Sequence, residues 1–346
     1  MRGLFAFAVL LAATAWAIDE DCASCHAKQS RAWSATPMAR ALQPAAQSPI
    51  LKANPKLEFV SGPYKYALVR DGDGSVYTVS DGRDTFQAPI LWSFGPGAAG
   101  QTYVFERDGI MYESRLSFYI ATGGLDLTMG APGGIPKSLD DAAGRKMTLK
   151  DMQDCFGCHS QPGSIKTRAT LDSAAFHPGV RCAGCHRDSD RHSEALIRKS
   201  AKPFLPAKLA KLTSEESSEL CGKCHRTWSD IQLSGPRGRA NVRFQPYRLA
   251  NSPCYDTEDR RIGCVACHDP HEGLNRAAAV TSYDLACLAC HVKTAQPVAG
   301  KRVRVCTQAA AGCVACHMPK YEIPGSHHRF TDHHIRIVRS NETYPN

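Results

Sequence analysis

The chain has 346 residues, a length that ordinarily implies two domains, and its 42 Lys and Arg outnumber 33 Asp and Glu to leave a formal charge of +9. No basic run is dense enough to make that charge a nucleic-acid footprint, so nucleic acid is excluded as a partner. Sixteen cysteines are the outstanding feature, and their spacing has to decide between disulfides and cofactor attachment.

The chain opens "MRGLFAFAVLLAATAWAIDEDC", with one basic residue, an apolar run from Leu4 to about Ala13 and a small-x-small site at Ala15-Trp16-Ala17. Residues 1–17 read as a secretory signal peptide. The apolar run is too short to span a bilayer and no later stretch approaches the required length, so no integral membrane segment is expected. The expectation is a soluble, exported protein, periplasmic or extracellular.

Residues 18–54 carry the first of several Cys-x-x-Cys-His units. Residues 55–150 differ in kind. "YKYALVR" and "SVYTVS" flank "DGDG", and "QTYVFE" and "IMYESRLSFY" flank "RDG". Alternating β-branched and aromatic residues around Asp-Gly turns predict antiparallel hairpins. Residues 151–346 hold the remaining units at steps of 27, 39, 43, 23 and 26 residues. Segments this short cannot each bury an apolar core. Within them, "TSEESSELCGKCH" predicts a helix opened by a Thr213–Glu216 capping box. The fold class expected is mostly α and irregular, wrapped around stacked cofactors held at those units, with a small inserted antiparallel β module.

The unit occurs seven times. The cysteine pairs are Cys22 and Cys25, Cys155 and Cys158, Cys182 and Cys185, Cys221 and Cys224, Cys264 and Cys267, Cys287 and Cys290, and Cys313 and Cys316. The closing histidines are His26, His159, His186, His225, His268, His291 and His317. Random placement predicts about 0.03 occurrences. A zinc ribbon has no use for a His after each pair, and a thioredoxin-like site needs one pair alone. Covalent haem c explains the spacing: two thiols reach the two vinyl groups of a porphyrin and the next residue turns its imidazole under the iron. Seven covalently bound haems are expected, and their propionates account for much of the basic excess.

Seven further histidines equal the number of haems. His177 lies five residues before Cys182 and His271 three residues after His268, tethers too short to pass round their own porphyrins. Each is expected to ligate a neighbouring haem, which ties the motifs into one unit. His192 is a further candidate. Adjacent side chains diverge, so "HHRFTDHH" is expected to supply His327 and His333, leaving His328 and His334 as hydrogen-bond partners or solvent-facing groups. Met38 is on a stretch that turns back toward the first haem, where it is either a thioether ligand or an ordinary core methionine. Cys254 and Cys306 remain, and exported thiols favour a disulfide between them over thiolate ligation.

Irons with both axial positions filled pass electrons and bind no substrate, so an electron carrier between redox proteins is favoured over an enzyme. The alternatives are a reductase or oxidase of a small nitrogen or sulfur compound at one open haem, and a self-associating subunit of a conducting cytochrome assembly. No catalytic residue is assigned.

Three stretches, "CASCHAKQSRAWSATPMARAL", "FQPYRLANSPCYDTEDRRIGCVACHDPH" and "CVACHMPKYEIPGSHHRFTDHHIR", together with the β-rich "GPGAAGQTYVFERDGIMYESRLSFY", resemble the exported multihaem c-type cytochromes marked by a doubled Cys-x-x-Cys-His motif. That family is related to the tetrahaem cytochromes of nitrogen and sulfur metabolism. The resemblance implies a ligand role for His327 and His333 through a His-x-x-Phe-Thr-Asp-His pattern. It also implies a His at the position of Met38, which makes Met38 a substitute ligand, and cysteines where Cys254 and Cys306 stand, in keeping with a bridge.

Overall fold

A computed structural model describes residues 22–160, 165, 171, 176–272, 283–291, 305–309 and 311–345. The expected signal peptide therefore lies outside the described residues. Among the described residues no helix is long and apolar enough to cross a membrane.

The β-rich stretch is a nine-stranded antiparallel sheet, which corrects the expectation of a mostly α chain with a small β module. Its strands are β1 (Leu42–Pro44), β2 (Lys56–Ser61), β3 (Tyr64–Asp71), β4 (Gly74–Ser80), β5 (Thr85–Phe94), β6 (Gly100–Arg107), β7 (Ile110–Tyr119), β8 (Gly124–Leu127) and β9 (Gly144–Lys146). Strands β2 to β8 pair in chain order as a meander, with β1 added on β5 and β9 on β7. The terminal strands β2 and β8 come back into contact, so the sheet is nearly a closed barrel. The expected hairpins are present. Asp71 pairs with Gly74 across the first Asp-Gly turn. Asp108 and Gly109 both have positive φ, the type I′ geometry that matches the twist of β6 and β7.

Alternation gives the barrel its interior. Tyr66 and Leu68 on β3, Tyr77 and Val79 on β4, Tyr103 and Phe105 on β6 and Leu116 on β7 are all buried in one core. Ala45 and Leu51, from the segment before β2, are part of that same core. A register shift between Ile90 and Trp92 breaks the alternation on β5. It leaves Ile90 inside and sends Trp92 and Phe94 to a second cluster with Leu42, Val104 and Met111 on the outer face.

That outer face carries the helix Leu149–His159, whose Met152 and Phe156 are fully buried against it. Thr148 and Asp151 form its capping box. The helix Ser214–His225 begins with the Thr213–Glu216 box the sequence predicts. Two short strands, β10 (Lys320–Glu322) and β11 (Arg329–Thr331), pair antiparallel near the C-terminus.

Candidate functional site

Each Cys-x-x-Cys-His unit closes on itself by a helical hydrogen bond. The His amide donates to the carbonyl of the first Cys at 2.8 Å in the first unit, 2.9 Å in the third, 3.0 Å in the fifth and 2.9 Å in the sixth. One helical turn puts positions i, i+3 and i+4 on one face, so both sulfurs and the imidazole face the same way.

Those faces converge. Six of the seven units place both cysteines and the histidine on the wall of a single cavity of about 2370 Å³, and the seventh lines it with Val314 and Ala315. This is more than twice the roughly 300–1,000 Å³ of a small-molecule pocket. The motif region thus encloses a space shared by many groups.

Three pairs of imidazoles face each other across it. His26 and His192 have ring centroids 6.4 Å apart, His186 and His271 6.0 Å, and His268 and His333 6.2 Å. A metal–imidazole bond of about 2.0–2.1 Å on each side, with about 1.1 Å from nitrogen to ring centre, places two trans imidazoles about 6.2 Å apart. The spacing therefore fits an iron between each pair.

The ring nitrogens support the same fit. His159 Nδ1 is 2.8 Å from the Ala41 carbonyl, and His317 Nδ1 is 2.9 Å from that of Arg336. His192 Nδ1 is 2.7 Å from the Phe204 carbonyl, and His333 Nδ1 3.1 Å from that of Thr331. His225 Nδ1 meets Gln245 Oε1 at 3.0 Å, and His268 Nδ1 meets the Tyr283 hydroxyl at 3.3 Å. A carbonyl partner keeps the proton on Nδ1 and leaves the Nε2 lone pair for a metal. Burial pushes His159, His186, His225 and His268 below the ordinary histidine value, and His333 down to about 4. All five favour the neutral form that ligates.

Thiols of different units act on one another: Cys224 pulls Cys158 down to about 7, and Cys158 pushes Cys224 up. Cys221 and Cys264 do the same, pulling Cys264 down to about 6, and Cys287 meets Cys313. The second unit thus adjoins the fourth, the fourth the fifth, and the sixth the seventh.

The remaining candidates fall as follows. Met38 lines the cavity, but the group facing His26 is His192. The Met38 carbonyl accepts from Val180 N at 3.1 Å, and Ala41 contacts His159, which places that segment by the second and third units. His177 is buried beside the end of the second unit, where Pro178 bridges to Ser160. Of the first C-terminal pair, His328 lines the cavity. His327, at φ 49°, places its Nε2 2.9 Å from Asp126 Oδ2 on β8 and packs on Tyr119. Cys254 and Cys306 are free thiols, not the expected disulfide. Burial raises Cys254, while backbone amides of Ala309 and Gln308 hold Cys306 below the ordinary thiol value. Sequence reasoning missed Gln245, Tyr283 and the carbonyl partners, since a backbone acceptor leaves no residue signature.

A family model described as "Doubled CXXCH motif" matches residues 258–296, which contain the fifth and sixth units. The match supports covalently bound haem c and a multihaem protein resembling c-type cytochromes. No curated protein and no solved structure matches the chain.

Proposed function

We propose that this is an exported seven-haem cytochrome c that carries electrons between redox partners, themselves other redox proteins or cytochromes. The observation that carries the reading is the set of three imidazole pairs at 6.0–6.4 Å around one cavity. Each pair joins a motif histidine to one supplied from elsewhere: His192 serves the first unit, His271 the third and His333 the fifth. Of the adjacent pair, His328 is the better candidate, because the Nε2 of His327 is engaged by Asp126.

When bound, haem c supplies a one-electron couple whose potential the protein tunes. The chain's own residues favour the neutral form of His186, His268 and His333 and orient His192, His268 and His333 through Nδ1. Cysteines of neighbouring units lie close enough to act on one another, which brings attachment points near each other as a relay of electrons needs.

The test is the intact mass of the purified holoprotein, with its EPR and optical spectra and the response of the reduced form to carbon monoxide. Seven haems, all low-spin and unresponsive, are expected. A high-spin haem that takes carbon monoxide turns the reading to a reductase of a small nitrogen or sulfur compound, and a lower mass overturns the count.

A further inference from the structure

The most deeply buried charges in the described chain stand beside a ligand. Arg248 and Asp332 side chains are both 0% exposed, and they meet side-on, Nε to Oδ1 at 2.8 Å and Nη2 to Oδ2 at 3.0 Å. Asp332 also accepts from Arg336 Nη1 at 2.9 Å and from the His334 amide at 3.0 Å. Arg248 Nη1 donates to the Pro345 carbonyl at 2.8 Å, and its guanidinium lies 4.7 Å from the centre of the Tyr344 ring. Asp332 immediately precedes His333, whose carbonyl accepts from Ser252 Oγ at 3.1 Å. The same Ser252 Oγ accepts from Ile335 N at 2.8 Å. Residues 332–336 are thus held on both sides of the ligand.

We propose that the Arg248–Asp332 pair is a positioning device that holds His333 opposite His268, with Tyr344 and Pro345 closing it at the C-terminus. This rests on the reading of His268 and His333 as one axial pair. A buried ion pair is a poor way to gain stability, because desolvation offsets the attraction. It is a good way to set register, since a planar guanidinium accepts a carboxylate in one orientation. An iron ligand needs that, because a shift of about 0.5 Å already degrades a site. The helix Gln245–Ala250 adds coordination between sites, presenting Gln245 to His225 and Arg248 to Asp332 from one rigid element.

The experiment compares holoprotein carrying Asp332→Asn, Arg248→Lys and His333→Gly. Asp332→Asn is expected to turn one haem high-spin or open to carbon monoxide, with added imidazole restoring the low-spin signal and the other haems unchanged. An unchanged low-spin spectrum in Asp332→Asn, alongside an opened haem in His333→Gly, overturns the positioning role and leaves the axial pair standing. No opened haem in His333→Gly overturns the axial pair itself. If Asp332→Asn does not accumulate, Arg248→Lys, which keeps the charge and loses the side-on fit, decides: an opened haem rescued by imidazole supports the device, and a wild-type low-spin spectrum overturns it.

Discussion

The barrel between Leu42 and Lys146 and the motif region after it solve the problem of a core in opposite ways. In the barrel the interior is side chain: Tyr77, Tyr103, Phe105 and Leu116 are fully buried and interlocked. In the motif region the buried apolar residues are few, among them Ile231, Val242 and Tyr247, and the units surround a cavity of about 2370 Å³. The polypeptide there is a lining, and on the proposed reading the haem c its motifs attach completes the interior. One region carries its folding information in its own apolar pattern, while the other, on that reading, requires a cofactor to have an inside.

The sharpest way to break that comparison is to produce the chain without haem attachment. Limited proteolysis is expected to cut throughout residues 176–345 while residues 42–147 resist; equal protection of both regions would sink the contrast. Next in size are single-ligand changes. His192→Gly and His271→Gly are each expected to convert one haem to high-spin and leave the barrel's melting transition unmoved, read by EPR beside calorimetry. Smaller, and on the other side of the comparison, Leu116→Ala should destabilise the barrel by about 2–5 kcal/mol in a denaturant titration, with the haem spectrum unchanged.

The smallest effect tests a barrel carboxylate that lines the cavity. Burial pushes the Glu113 carboxyl above its ordinary value despite the Arg145 guanidinium 2.6 Å away. A raised folded value means that the fold binds the proton more tightly than the unfolded chain. Its contribution to stability is therefore complete below about 4.5 and is lost as pH rises through the folded value. Glu113→Gln should remove that decline, so its stability relative to the native chain rises with pH in denaturation curves. A parallel offset at every pH would contradict the assignment.

Much of the barrel's interior was readable because β3, β4, β6 and β7 alternate around Asp-Gly turns. Its size was not. Strands β1, β8 and β9 are three or four residues long, too short for a period to register, and they complete the sheet. The approach of β2 to β8 is a property of accumulated twist rather than of any segment. The motif residues were fully legible, but of the two histidines in "SHHRF" the cavity-lining one is His328. Asp126 on β8, about two hundred positions earlier in the chain, engages the other through its Nε2.

Sequence alone determined the seven Cys-x-x-Cys-His units and the chemistry they imply, because two thiols and an imidazole within one helical turn form a local device. Tertiary structure decided which histidine faces which. His26 meets His192, His186 meets His271 and His268 meets His333 only after the chain has folded across the cavity. An axial pair is a contact through space, and its spacing along the chain obeys no rule.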